Sequence, residues 1–417
     1  MQTTKNPGKK RIAVLFGGRS PEHDVSVVSG LQVLNALDPE KYEGFPVYIT
    51  PQGLWLTGDV LRERGNYMLD AQTFKKTRAV TLDLSPVNRT VGKRGRLLPR
   101  ESGLLEKGKP VEEFDAAIPV FHGYIGEDGN IQGLMETADV PYAGTRTMAS
   151  AILMDKAATK YFLKALDIPV LPCAVLRRPA QGYFIPEDEL KALAGPIGFP
   201  AIIKPTHMGS SIGVAKVKNI EELSACLPAV FEYDDSAILE PFVENLVEYN
   251  VAVSKAFGGG VKTSAIERPK AVDELLDFKQ KYLAGAESGS NKLGGTKNPG
   301  AISEGMLSLT RELNPKLEAK MEANIREWAV RMFDAMNGTG APRIDFIGNS
   351  KSGEIWMNEV NPLPGSFGYF LWEAAKEPIL FTDFLSGLIE EAFFEYTRRR
   401  LPKDPVPVDA RLLKRAG

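Results

Sequence analysis

Two short segments near the end of the chain carry the residue types that hold a hard cation: Arg343-Ile344-Asp345-Phe346 and Asn358-Glu359-Val360-Asn361-Pro362. Alternation along a strand puts Arg343 with Asp345, and Glu359 with Asn361, on shared faces. Asp, Glu and Asn offer oxygen ligands only, which suits Mg2+ held beside phosphates and water. The bland alternative is a pair of polar-faced strands on a solvated antiparallel sheet.

Other residues favour the chemical reading. Lys204 ends the apolar run that begins at Pro200 and feeds a polar loop, Pro205 to Gly213, which contains Gly209-Ser210-Ser211-Ile212-Gly213. A small glycine-serine loop between two strands offers backbone N–H groups and hydroxyls to a phosphate. Those five residues also fit the G-x-S-x-G pattern of serine hydrolases, but that pattern needs a turn from strand into helix, and here a strand follows. The chain holds three histidines, His23, His122 and His207, so a serine–histidine pair has few candidates. Lys156 falls in the first turn of a helical pattern, where its charge opposes the helix dipole; a ligand would account for that placement, and a snorkelling side chain is the plainer reading. No P-loop run and no well-placed G-x-G-x-x-G occurs. With Lys281-Tyr282 added, the set comprises lysines for phosphates, a glycine loop and an oxygen-ligand face with an arginine, which together point to phosphoryl transfer.

The elements that must position these residues alternate between strand and helix. Ile12 to Phe16 is an apolar run ending in Gly17-Gly18, and Ser20-Pro21-Glu22 opens a helical pattern through Val25, Val28 and Leu31. Ala116 to Val120, a loop from Phe121 to Gly129 and a helix from Ile131 to Ala138 repeat the arrangement. Such units predict an α/β domain with a doubly wound parallel sheet and ligands at the carboxyl ends of its strands. Residues 84 to 109 carry seven basic and two acidic residues and read as a solvated hairpin insertion rather than a nucleic-acid patch. Further on, the pattern predicts a helix from Asp155 to Leu166, a hairpin of Pro200–Lys204 with Val214–Val217, and a linker at Ile238–Val243 broken by Pro241. Residues 283 to 303 hold five glycines and predict a mobile loop, and the basic tail after Arg398 predicts poor order.

Composition bounds the rest. With 417 residues, 43% hydrophobic and 25% charged, the chain is long and apolar enough for two or three globular domains. A net charge of -2 and a pI near 6.1 give no reason to expect nucleic acid or an anionic membrane as partner. Two cysteines, Cys173 and Cys226, argue against a disulfide framework or a cysteine-built zinc site and fit a reducing cytoplasm. Met1 to Arg11 is polar, and the apolar run after it is too short for a signal core or a membrane span, so secretion is not expected.

Five ordered stretches resemble the ATP-grasp ligases and, within them, the D-alanine:D-alanine ligase family: Phe16 to Ser26, His122 to Gly133, Pro141 to Lys156, Lys204 to Gly213 and Asn358 to Gly365. The resemblance covers most of residues 11–371 and implies an ATP-grasp fold behind an N-terminal α/β domain. Its implied divisions are 1–145 for substrate binding, 146–239 for the central ATP-grasp subdomain, 240–397 for the C-terminal subdomain with the metal site, and 398–417 for the basic tail. By resemblance, Lys156, Lys204 and Lys281 serve the ATP phosphates with Ser210 and Ser211, Glu240 and Val243 the adenine, and Glu248 the ribose. Asp345, Glu359 and Asn361 resemble ligands of two Mg2+ ions, or Mn2+ in their place. Glu22 would hold the ammonium of the first D-alanine with His122 nearby, Ser210 and Tyr282 would be its hydrogen-bonded partners, and Arg343 with the backbone of Gly365 would form an oxyanion hole.

The implied reaction phosphorylates the first D-alanine with ATP and lets the amine of the second attack the acyl phosphate, in the cytoplasm, for peptidoglycan precursor synthesis. A homodimer is implied as well. Three departures from the family pattern bear on the acceptor and the nucleotide. Phe370 stands where the family has a serine for the second substrate's carboxylate, leaving Ser366, a backbone N–H or a different acceptor to answer for it. Pro241 replaces a linker lysine, and the loop after Tyr282 is long. An alternative is therefore a related ligase coupling D-alanine or another amino acid to a different amine or hydroxy acid.

Overall fold

The computed structural model describes residues 8–67, 71–85, 89–101, 109–209, 212–269 and 311–399, and three sheets follow one another along it. The first contains β1 (Lys10–Gly17), β2 (Tyr42–Ile49), β3 (Trp55–Thr57), β4 (Arg78–Leu82), β5 (Gly95–Pro99), β6 (Glu112–Phe114) and β7 (Ala116–Val120), with α1 (His23–Ala36), α2 (Ala71–Lys75) and α3 (Asn130–Thr137) between or after them. Its order is β6-β5-β4-β3-β2-β1-β7. β1 runs parallel to β2 and β7, and Ile12 to Phe16 is buried on both faces, as an apolar run without alternation requires. The remaining strands extend this parallel centre as an antiparallel meander. The hairpin expected at the basic segment 84–109 is present as β4 and β5, but it is part of the main sheet rather than a solvated insertion. Arg96 there pairs with Asp83, and Lys93 with Asp115 at 2.7 Å, so charges that read as a surface patch are partly spent on the fold.

Helices α4 (Thr147–Met154) and α5 (Lys156–Ala165) lead to an antiparallel sheet of β8 (Ala174–Arg177), β9 (Ala201–Pro205), β10 (Ala215–Val217) and β11 (Ser236–Pro241), ordered β10-β9-β11-β8 and packed on α6 (Glu187–Ala194) and α7 (Ile220–Phe231). The predicted hairpin is β9 and β10. The predicted linker at Ile238–Val243 is mostly strand: Ile238 and Leu239 are fully buried in β11 between β8 and β9. Pro241 falls at the strand's last position, where a missing N–H is tolerated, so the proline that suggested a break only ends the element.

A third sheet, ordered β14-β13-β12-β15-β16, comprises β12 (Leu246–Ser254), β13 (Lys262–Pro269), β14 (Arg311–Leu313), β15 (Arg343–Asn349) and β16 (Ile355–Asn361). Helix α8 (Ala319–Ala335) covers its apolar face through Ile325, Ala329 and Met332. After α9 (Tyr369–Glu373), α10 (Phe381–Arg399) returns to the first sheet, where Leu385, Leu388 and Ile389 share a core with Ile12 and Ile118. The predicted mobile loop at 283–303 lies outside the described residues; of the predicted tail at 398–417, Arg398 and Arg399 belong to α10 and the rest lies outside the described residues. Among the described residues, no helix is long and apolar enough to cross a membrane.

Candidate active site

Lysines from two elements converge between the second and third sheets. Lys204 Nζ lies 2.7 Å from Glu240 Oε2 and donates to Asn358 Oδ1 at 3.2 Å, so it reaches from β9 through β11's carboxylate to β16. Lys156, first residue of α5, donates to the carbonyl of Met208 at 2.5 Å and stands 3.9 Å from Glu359. Asp155 caps α5 by accepting from the N–H groups of Ala157 and Ala158, which offsets the unfavourable placement of Lys156 on the helix dipole. His207 anchors the loop that follows β9, with its ring 3.0 Å from Asp234 and 3.4 Å from Asp155. Burial disfavours the charged form of Lys204, but Glu240 and Glu359 outweigh it and hold its pKa above the ordinary value. Burial likewise disfavours the Glu240 carboxylate, and Lys204 and Lys160 outweigh it, keeping that group ionised.

On β15 and β16 the expected alternation is present. Arg343 and Asp345 share one face of β15, and Arg343 grips Asp345 with two hydrogen bonds of 2.7 Å. Asp345 lies directly opposite Glu359, Arg343 opposite Asn361, and the Asn361 amide donates to Asp345 at 2.8 Å. A bulge beside Asp345 adds one residue to β16, and Asn358, which strict alternation would turn away, thereby reaches Lys204. Two carboxylates directly opposite each other repel. Burial is the main reason that Asp345 is pushed up, with Glu359 adding to it against Arg343. An all-oxygen set with like charges face to face fits a divalent cation.

A second cluster forms where the loops after β1 and β7 meet the segment after β16. Glu22, buried, caps α1 with its backbone. Gly123 has φ +71, and a Cβ there would lie 2.4 Å from Glu22 Oε2; a Cβ on Gly209 would lie 3.3 Å from the same oxygen. Glycine at both places lets the phosphate-loop candidate and the β7 loop close on one carboxylate. Glu127, also buried, accepts from the N–H groups of Gly123 at 2.6 Å and Leu363 at 3.0 Å. Burial first, and the charge of Glu22 second, push its pKa up to about 8. His122 Nδ1 meets the carbonyl of Leu363 at 3.0 Å, so it carries the proton, and Nε2 accepts from Ser29 Oγ at 3.0 Å. Burial drives its pKa down to about 4, which leaves the ring neutral.

Beyond Gly365 the chain makes a tight turn, with Ser366 and Phe367 in the left-handed region at φ 48 and 57. The Ser366 N–H donates to Ser29 Oγ at 3.1 Å and its hydroxyl bonds Gln32, so α1 engages it. Phe370 lies under the guanidinium of Arg311, 4.4 Å from its ring centre, and Arg311 pairs with Glu267 at 3.1 Å.

The structure thus gathers Lys156, Lys204, Glu240, Asp345, Glu359 and Asn361 at one end and Glu22, His122 and Ser366 at the other. Val243 is half-buried in the connection from β11 to β12, and Glu248 is exposed on β12. Ser210, Ser211, Lys281 and Tyr282 lie outside the described residues. Sequence reasoning missed Lys160, Glu127, Asn358 and Arg311. Lys160 was within reach, because it follows Lys156 by four residues and so shares its helix face; the others depend on a loop contact, a bulge and a distant strand.

Comparison with known proteins finds relatives along nearly the whole chain. Residues 11–145 match the family D-ala D-ala ligase N-terminus, and residues 162–295 and 307–390 match D-ala D-ala ligase C-terminus. A D-alanine–D-alanine ligase of Chloroherpeton thalassium is 32% identical over 408 residues, covering 95% of this chain and 99% of its own. One from Enterococcus faecalis is 32% identical over 388 residues, covering 92% and 98%. Among solved structures, the D-alanine–D-alanine ligase from Coxiella burnetii superposes with a TM-score of 0.70 at 24% identity, covering 94% of this chain and 96% of its own. VanG D-Ala:D-Ser ligase from Enterococcus faecalis superposes with a TM-score of 0.68 at 25% identity, covering 92% and 99%.

Proposed function

This chain belongs to the D-alanine–D-alanine ligase family, and from that premise we propose that its two clusters are the nucleotide and amino-acid ends of one ATP-dependent ligase site. The enzyme joins two D-alanines. The γ-phosphoryl group of ATP passes to the carboxylate of the first D-alanine, giving an acyl phosphate and ADP. The amine of the second attacks the acyl carbon, and the C–O bond to phosphate breaks as the peptide bond forms.

The observation that carries this reading is the opposite polarity of the two ends, with lysines enclosing one and buried carboxylates the other. Lys156 and Lys204 would hold phosphates, Glu240 and Val243 the adenine, and Glu248 the ribose, with Lys281, Ser210 and Ser211 completing the nucleotide end. Glu22 would receive the ammonium of the first D-alanine, with Tyr282 and Ser210 as its partners. His122, with both ring nitrogens engaged, would act by holding Ser29 and Leu363 in place. Arg343 would turn from Asp345 toward the oxyanion, joined by the N–H of Gly365. Asp345, Glu359 and Asn361 would hold Mg2+ or Mn2+, two ions by family resemblance, and such a cation neutralises phosphate charge.

The dipeptide product belongs to peptidoglycan precursor synthesis. ATP consumption argues for action in the cytoplasm. The three sheets support a division near residues 145 and 240, and the homodimer implied by resemblance predicts about twice the chain mass in light scattering.

A second reading rests on Phe370. Its ring cannot donate a hydrogen bond, and Ser366 is already engaged by Gln32 and Ser29, so an acceptor other than D-alanine has a structural argument. The deciding experiment is ADP release with Mg-ATP and D-alanine, repeated with a panel of second amino acids and hydroxy acids, with products identified by mass. D-alanyl-D-alanine should dominate; a mixed product would shift the assignment to a sibling ligase, and ADP release independent of amino acid would sink both.

A further inference from the structure

Lys160 is completely enclosed, a position that lysine occupies only when another charge compensates it. Its Nζ lies 2.5 Å from Glu240 Oε1, and the other oxygen of that carboxylate lies 2.7 Å from Lys204 Nζ. This short contact pairs the buried ammonium with one carboxylate oxygen while Lys204 takes the other. Packing alone would be served as well by an apolar side chain of similar length. The arithmetic of charge gives the lysine a purpose. Lys204 and Glu240 by themselves make a neutral pair with nothing left for an anion. With Lys160 behind the carboxylate, the buried trio carries one net positive charge, and Lys204 is its partly open member, facing Asn358 on the third sheet.

We infer that Lys160 is a positioning residue for nucleotide binding, which balances Glu240 from inside so that Lys204 keeps an uncompensated charge for phosphate. The inference rests on the reading of Lys204 as a phosphate lysine. Lys160 itself touches no substrate. Burial, with Lys204 adding to it, holds the pKa of Lys160 below the ordinary value, and Glu240 is the main group opposing that shift, so the charge on Lys160 depends on this one carboxylate.

The test is a double-mutant cycle on the full chain, reading the KM for Mg-ATP and for D-alanine. Lys160→Met should raise the ATP KM about tenfold when Glu240 is present, and less than about twofold in a Glu240→Gln background, where no buried carboxylate remains to be balanced. The D-alanine KM should stay constant. An equal effect in both backgrounds would mean that Lys160 only packs, and would overturn the inference. Should Lys160→Met fail to fold, Lys160→Arg keeps the charge: ATP affinity within about threefold of the parent supports the inference, and a loss of about tenfold or more overturns it. Lys204→Met separates the two claims. ATP affinity unchanged by that substitution sinks the phosphate-lysine reading itself, whereas a large loss there beside a background-independent Lys160 effect sinks only the charge-balance role.

Discussion

At the lysine end, Lys160 and Lys204 flank the carboxylate of Glu240 and Lys156 stands beside Glu359; at the proposed amino-acid end, Glu22 and Glu127 stand with a neutral His122. Burial is comparable in the two places, yet its consequences differ. At the lysine end, side chains of opposite charge outweigh burial for Lys204 and Glu240, which stay ionised, whereas burial holds Lys156 and Lys160 below the ordinary lysine value. Glu127 is compensated by two backbone N–H groups and, after them, by the charge of Arg343, and these do not offset burial and the neighbouring Glu22. One end therefore presents stable positive charge to an anion. The other holds a carboxyl in reserve, which a bound ammonium would help to ionise.

The comparison breaks most sharply at Arg343, which faces both ends. Arg343→Ala should lower kcat by about 10²–10³-fold while ADP and D-alanine still bind, because the loss falls on charge that develops during reaction. Equal loss of ground-state affinity would make Arg343 a binding residue. Next in size, Glu22→Gln should raise the D-alanine KM about 10–100-fold and leave ATP affinity alone, since it removes a charge facing an ammonium. A matching loss of nucleotide affinity in a binding titration would show that the two ends are not separate.

A third prediction concerns pH. The folded-state pKa of Glu127 stands above the ordinary carboxyl value, so the native protein binds more protons than the unfolded chain between about 4.5 and 8. Stability then falls as pH rises through that window, the sense opposite to a salt-bridged carboxylate. Thermal melts of Glu127→Gln should lack that decline and cross those of the parent as pH rises; parallel curves would mean that Glu127 is ionised throughout. The smallest effect belongs to Phe370→Ser, which should shift selectivity among second amino acids by about tenfold or less without changing ATP use. Unchanged selectivity would remove Phe370 from acceptor recognition.

Much of this was legible in the chain before folding. The strands at Ile12–Phe16 and Ala116–Val120 and the faces of Arg343 with Asp345 follow from local periodicity, which backbone geometry enforces wherever a strand forms. The failures have specific causes. Ile238–Val243 read as a linker because a proline inside an apolar run looks like a break, although a proline at a strand's end breaks nothing. Asn358 reaches Lys204 only because a bulge reverses the alternation that would turn it to the other face. Glu127 sits in a loop with no period, and its partner Leu363 lies 236 positions away.

Residue order alone thus determined the α/β class and the face shared by Arg343 and Asp345, and offered the oxygen-ligand and phosphate-lysine readings as proposals, since these depend on side-chain type and on periods of a few residues. Tertiary structure decided which charges meet, and with that which stay ionised. Lys160 balancing Glu240, Glu22 raising Glu127 and His122 held neutral all arise from distances of a few ångströms between distant segments in a medium from which water is excluded, where Coulomb energy and desolvation cost are both largest.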